Sequence, residues 1–244
     1  MKILLINPNT TQGMTDAIAN AARAVASSGT EILAVQPTFG PVSIESHFDE
    51  TIAAAGVAEQ VRLSRDWRPD AVVVACFGDP GLDAARELTD APVLGIAEAA
   101  FHAASMLATG FSVVTAMSRT CIMAERLVQR YGMAHQCRGI HGTDIPVLKL
   151  ECCEEHTLLQ IEDAARAAIS KDRSGAIVLG CAGMAPLCAE LSQRLGVPVI
   201  DGVAVAVKFA ESLASLGLRT SKHGDYAPPL PKPFKGWASR LDLE

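Results

Sequence analysis

The sequence predicts an α/β fold of two similar lobes, each a mostly parallel sheet flanked by helices. Three observations carry that prediction. Apolar runs of five or six residues alternate with longer amphipathic stretches along the 244-residue chain, the pattern of strands joined by crossover helices. Several runs are β-branched and apolar on both faces, as strands covered by helices on either side must be. One segment also occurs twice: Asp70-Ala-Val-Val-Val-Ala-Cys76-Phe-Gly-Asp79 returns as Gly175-Ala-Ile-Val-Leu-Gly-Cys181-Ala-Gly-Met184. Each copy leads through a helix-like segment to a Pro-Val-aliphatic strand start, with Pro92 16 residues after Cys76 and Pro198 17 residues after Cys181.

The elements follow in order. A strand over Lys2–Ile6 stops at the turn Asn7-Pro8-Asn9, and an alanine-rich helix spans Thr15–Ala26. A second strand, Glu31–Val35, opens into the loop Phe39-Gly40-Pro41-Val42-Ser43, after which a helix covers Ile52–Asp66. The first repeat copy supplies a strand over Ala71–Ala75, a helix over Pro80–Leu88 and a strand over Val93–Ile96. Beyond it come a helix over Glu98–Ala108, a strand over Ser112–Thr115, a helix over Arg119–Tyr131 and a strand over Gly139–Gly142. The second half repeats the order with a helix over Glu155–Ser170, a strand over Ala176–Gly180 and a helix over Pro186–Leu195. A strand over Pro198–Ile200 and a helix over Gly202–Ser215 close it. Glycine or proline lies close after many of the helix ends, where it stops a helix. The repeat divides the chain into a first lobe, residues 1–96 with 208–244 returning to it, and a second lobe, residues 97–207, related by a pseudo-twofold axis. The tail past Leu218, rich in proline, lysine and glycine, reads as an irregular surface strap with Lys222, Lys232 and Lys235 in solvent.

Composition excludes several functions. At 49% hydrophobic and 20% charged the chain is globular. A net charge of −6 gives no general attraction to nucleic acid or to an anionic membrane. No apolar stretch approaches the roughly 20 residues that span a bilayer. The opening Met1-Lys-Ile-Leu-Leu-Ile is too short for a signal peptide, so a cytoplasmic protein is expected. The seven cysteines are odd in number, which argues against a disulfide framework, and the adjacent Cys152-Cys153 pair lacks metal-binding spacing. No metal is expected. Alanine-rich helical faces suit a homo-oligomer.

Cys76 and Cys181 each sit between a strand and a helix, where unpaired N–H groups favour a thiolate. In α/β sheets ligands bind beyond the carboxyl ends of strands, so two facing lobes would direct both thiols into one cleft. Two thiols on opposite faces of one carbon suit stereoinversion. One removes a proton as thiolate and the other returns one as thiol, while backbone N–H groups near Gly78, Gly180 and Gly183 hold the enolate oxygen. No P-loop and no G-x-G-x-x-G fingerprint follows a strand, so no cofactor is expected. A lone cysteine in such a position is most often core packing; the matched pair argues otherwise.

At these residues the chain resembles the aspartate/glutamate racemase superfamily, and within it the hydantoin and allantoin racemase branch. The likeness rests on Ile6-Asn-Pro-Asn-Thr10, Ala75-Cys76-Phe-Gly-Asp79, Gly180-Cys181-Ala-Gly-Met184 and Pro233-Phe-Lys-Gly-Trp237, and runs over nearly the whole chain. It implies a cofactor-independent racemase with Cys76 and Cys181 as the acid/base pair and a small cyclic ureide as substrate, a 5-substituted hydantoin or allantoin. Relatives that racemise free aspartate or glutamate carry Thr-Asn beside their cysteines, where this chain has Phe77 and Ala182. Arylmalonate decarboxylase relatives keep only the second cysteine. An amino-acid racemase and a non-catalytic two-lobe binding protein remain the alternatives.

The remaining candidates for substrate contact are Asn9, Phe39, Ser43, Phe77, Gly78, Asp79, Thr115, Ala182, Gly183 and Met184. Asn9 is a donor for a ring carbonyl or a turn former. Phe39 is expected to wall the ring and Ser43 to bond it. Asp79 either caps a helix or bonds a ring N–H near the thiol. Thr115 occupies the second-lobe position matching the Asn-Pro-Asn turn. Ser118 is expected to cap the next helix, and His102 to be packed rather than a base. Cys121 and Cys188 are expected in the core.

Overall fold

The structure is a computed structural model and describes residues 1–152 and 155–241. The Cys152-Cys153 pair therefore lies partly outside the described residues.

Among the described residues, eight strands form two four-stranded sheets that are parallel throughout. The first contains β1 (Lys2–Ile6), β2 (Glu31–Val35), β3 (Ala71–Val74) and β4 (Val93–Gly95), in the order β2-β1-β3-β4. The second contains β5 (Phe111–Thr115), β6 (Cys137–Gly142), β7 (Ala176–Leu179) and β8 (Val199–Ile200), in the equivalent order β6-β5-β7-β8. The predicted duplication is thus a duplication of topology. The central strands explain the apolar repeat. Every residue of β3 and of β7 is buried, and a fully buried valine or leucine contributes roughly 1.5–3 kcal/mol relative to exposure.

The helices are α1 (Gln12–Val25), α2 (His47–Leu63), α3 (Leu82–Leu88), α4 (Ile96–Leu107), α5 (Cys121–Arg130), α6 (Glu155–Asp172), α7 (Cys188–Leu195) and α8 (Gly202–Ser215). Helix α2 begins five residues earlier than periodicity suggests, because Ser46 caps it. The Ser46 hydroxyl oxygen accepts the Asp49 N–H at 3.2 Å, and the Asp49 carboxylate accepts the Glu45 N–H at 3.1 Å. Ser118 does not cap α5. Its N–H and hydroxyl both donate to Asp144, and a short 3₁₀ turn over Ser118–Thr120 leads into the helix.

Two helices cross between lobes. Helix α4 leaves the first sheet and packs on β7 and β8, whereas α8 leaves the second sheet and packs on β3, β4 and α1. The two also pack on each other, so closely that a Cβ on Gly202 would lie 2.4 Å from the Ile96 carbonyl oxygen. One buried cluster accordingly runs through both lobes, from Ile3 and Leu5 through Val203 and Val207 to Ile177 and Leu179. A second surrounds Phe101, stacked on Phe111 with 5.5 Å between ring centroids. A third fills the outer face of the first sheet around Leu4, Val72 and Val57.

The tail returns along the first lobe. The Thr220 N–H donates to the Asp90 carbonyl, and the Tyr226 hydroxyl donates to Asp83. Lys222 is not the solvated strap residue expected. Its ammonium donates to the carbonyls of Arg86 and Glu87 at the end of α3 and to that of Tyr226 in the tail, and burial lowers its pKa. Lysine there satisfies carbonyls that the helix leaves without partners.

Candidate active site

Strand geometry brings the two cysteines together. Cys76 follows the last residue of β3 by two positions, and Cys181 follows the last residue of β7 by two. Both line one cleft, whose empty space counted with its open mouth is about 650 Å³. The partner strands end in the same cleft. Beyond β1 stands Asn9, and at the end of β5 stands Thr115. The cleft therefore draws on the carboxyl ends of the two central strands of each sheet.

The expectation of low thiol pKa values is corrected. Burial pushes Cys76 up to about 12 and Cys181 up to about 11. No α-helix starts directly after either cysteine. Cys76 is followed by a turn that closes through the Asp79 N–H to the Cys76 carbonyl, and Cys181 by a 3₁₀ turn over Ala182–Leu187. Each cysteine is half-buried as a residue, yet the atoms packed around its thiol withhold the solvation a thiolate needs. One backbone N–H opposes burial at each site, from Gly78 to Cys76 and from Gly183 to Cys181. These two N–H groups serve the sulfurs rather than a substrate oxygen. The charges of Cys181, Asp79 and Glu50 add to the rise at Cys76, and that of Glu45 to the rise at Cys181.

Asn9 forms the turn and also borders the cleft. Its side-chain oxygen accepts the Thr11 N–H at 2.9 Å and an Asn7 amide N–H at 2.9 Å, which builds the turn. Its own amide nitrogen faces only the Met14 thioether, a weak acceptor, and so retains donor capacity at the cleft. The Thr115 hydroxyl donates to the Gly180 carbonyl at 2.9 Å while its side chain borders the cavity. Gly180 is glycine for packing, because a Cβ there would lie 2.6 Å from the Thr115 Cβ. Phe77 forms wall and core together, its ring edge-on to Phe101 at 5.5 Å.

Of the predicted residues, the cleft gathers Cys76, Cys181, Asn9, Phe77, Gly78, Thr115 and Ala182. The others lie outside its lining. Phe39 packs instead against the Trp237 ring, with the Arg240 guanidinium over its face as a cation–π partner. Ser43 stops one residue short of Ile44, which does reach the wall. Met184 is fully buried in the core that joins the lobes. Asp79 turns away from the thiol, in a left-handed backbone conformation with φ 46°. Its carboxylate accepts the N–H groups of Ala97 and Glu98 at 3.1 and 2.9 Å and the Tyr131 hydroxyl at 2.8 Å, so it caps α4 from another loop. Burial raises it to about 7 against those three donors. His102 is packed as expected, its ring nitrogen 2.8 Å from the Glu98 carbonyl.

The wall residues missed are mostly apolar: Met14, Ile44, Met117, Met123, Ala124 and Val147, with Thr120 among them. Their sequence contexts are those of ordinary core positions. The one available signal is position, since Met14, Met117 and Thr120 lie shortly beyond strand ends.

Comparison with known proteins agrees with this geometry. The family model described as Asp/Glu/Hydantoin racemase matches residues 3–210. A hydantoin racemase of Pseudomonas sp. (strain NS671) is 48% identical over 236 residues, covering 97% of this chain and 95% of the relative. The structure of an allantoin racemase from Klebsiella pneumoniae is 53% identical, covers 99% of each chain and superposes with a TM-score of 0.96. That of allantoin racemase from Pseudomonas fluorescens is 42% identical, covers 97% of this chain and all of the other, and reaches 0.93. With two topologically equal lobes and relatives along its full length, the chain belongs to the Asp/Glu/hydantoin racemase family and is an isomerase of the racemase type.

Proposed function

We propose that this racemase inverts the C5 stereocentre of 5-substituted hydantoins, allantoin among them, with Cys76 and Cys181 as the two acid/base groups and no cofactor. The observation that carries the reading is the matched pair of thiols at equivalent strand ends on one cleft. In each direction one cysteine, as thiolate, takes the C5 proton. The C–H electron pair moves into the adjacent ring carbonyl to form an enolate. The opposite cysteine, as thiol, returns a proton to the other face of C5, and the two sulfurs end with their protonation states exchanged. The N–H groups of Gly78 and Gly183 hold whichever sulfur carries charge. The Asn9 amide is the donor nearest to free for a ring carbonyl. The apolar wall of Met14, Ile44, Met123 and Val147 supports alkyl or aryl arms at C5.

Separate Cys76→Ala and Cys181→Ala variants test the mechanism by polarimetry from both pure enantiomers. Loss of one positioned acid or base is expected to lower the rate about 10²–10⁴-fold. In deuterated solvent each single variant should wash the C5 hydrogen out of one enantiomer only, which assigns the faces. Near-native racemisation by either variant defeats the two-thiol mechanism. A panel of allantoin, 5-benzylhydantoin and 5-isopropylhydantoin reads the preference for the C5 arm.

A further inference from the structure

We infer that the C-terminal residues Trp237 and Arg240 are positioning residues that hold the loop over residues 37–46 against the cleft, so that the tail sets substrate affinity from outside the site. The inference rests on the proposed reaction for its kinetic arm alone. The loop has no regular secondary structure, yet it delivers two groups to the active site. Ile44 forms part of the cleft wall. Glu45 reaches across to the second lobe, where its carboxylate accepts the Val147 N–H at 2.9 Å, and its charge is felt at Cys181. Val147 is itself a wall residue.

The loop is pinned from both sides. Inside, the Thr10 N–H and hydroxyl donate to the Pro41 carbonyl, and the Thr11 hydroxyl donates to the Val42 carbonyl at 2.6 Å. Outside, Phe39 meets the Trp237 ring at 5.6 Å between centroids, tilted by 57°. The Arg240 guanidinium lies over the same Phe39 ring at 5.0 Å. Arg240 is anchored in turn, because its Nε donates to the buried carboxylate of Glu59 on α2 at 2.7 Å. Its carbonyl also accepts from Arg62 at 2.6 Å. The tail thus ties helix α2 to the loop that closes the cleft. A ten-residue loop held only at the threonine side would sample positions in which Ile44 and Glu45 are misplaced.

The test uses the full chain with Trp237→Ala, Arg240→Ala, Trp237→Phe and Phe39→Ala. In Trp237→Ala and Arg240→Ala, KM for 5-benzylhydantoin is expected to rise about tenfold while kcat changes less than about threefold, because the thiols and their N–H donors stay in place. Iodoacetamide labelling, resolved by peptide mass spectrometry, should speed about tenfold at Cys181 and leave Cys137 unchanged, whereas global loosening accelerates both. Trp237→Phe keeps an aromatic partner and should restore native values. If either tail variant fails to fold, Phe39→Ala removes the same contact from the loop side and should give the same KM and labelling changes. Native KM and native Cys181 labelling in the folded variants overturn the inference. Absence of hydantoin racemisation by the unaltered protein defeats the proposed function instead, and the labelling arm still decides the role of the tail.

Discussion

At the scale of single residues, the cleft holds two thiols that are both protonated near neutral pH. The proposed mechanism needs one of them as thiolate. An acid whose pKa is raised keeps its proton up to that pKa, and the thiolate fraction grows about tenfold per pH unit below it. With Cys76 near 12 and Cys181 near 11, kcat/KM should climb from neutral pH into the alkaline range rather than pass through an optimum at 7. A pH–rate profile checks this, and a plateau beginning below about pH 8 contradicts it. The two cysteines were legible because a repeated context singles them out from seven. Asn9 and Thr115 were legible because each ends or follows a strand beside them. Met14, Ile44, Met123 and Val147 were not, since an apolar side chain has the same sequence signature whether it packs inward or faces a ligand. Asp79 misled by proximity. It stands three residues from Cys76, but its backbone turns left-handed and commits the carboxylate to α4.

At the scale of elements, the ends were decided by caps more than by periodicity. Helix α8 matches its predicted bounds because Asp201 caps it visibly, its carboxylate accepting the N–H groups of Val203 and Ala204 at 2.9 and 3.0 Å. Helix α2 does not, because its first turn, His47-Phe48-Asp49-Glu50, is polar apart from an exposed phenylalanine and carries no apolar rhythm. Helix α4 has no cap in its own sequence and borrows Asp79 across 18 positions, which no local pattern reveals. That arrangement requires glycine at position 95, where a Cβ would lie 2.2 Å from the Asp79 carboxyl carbon. Gly95→Ala should therefore expel Asp79 and uncap α4, with a loss of about 1–3 kcal/mol in urea denaturation. Alanine at Gly132, where a Cβ meets nothing within 4 Å, is the matched control for glycine loss, though its φ of 73° carries its own backbone strain.

At the scale of the whole molecule, the parallelism of the sheets followed from strand–helix alternation, while the strand order and the crossing of α4 and α8 did not, since packing partners are not written in an element's own apolar pattern. Glu211 marks how α8 is fastened to the first lobe. Burial alone would raise its carboxyl, but donors from Thr30, Lys208 and Ser27 outweigh it and hold the pKa at about 2. A depressed carboxyl stabilises fully above its unfolded value of 4.5 and loses that contribution as pH falls toward 2. Glu211→Gln should be less stable than the native chain at about pH 6, and the gap should narrow as pH falls below 4.5 and close only at about pH 2 and below; a gap independent of pH refutes the role of the charge. The exchange of helices has a consequence for synthesis on the ribosome. Strand β4 ends at Gly95 and α8 starts at Gly202, so the first sheet emerges 107 residues (202 − 95) before the helix that covers β3 and β4. At translation rates of about 5–20 residues per second, that face stays bare for about 5–20 s. The nascent protein thus spends that interval with an apolar sheet surface open to chaperones, and the core shared by the two lobes is completed only when α8 leaves the exit tunnel.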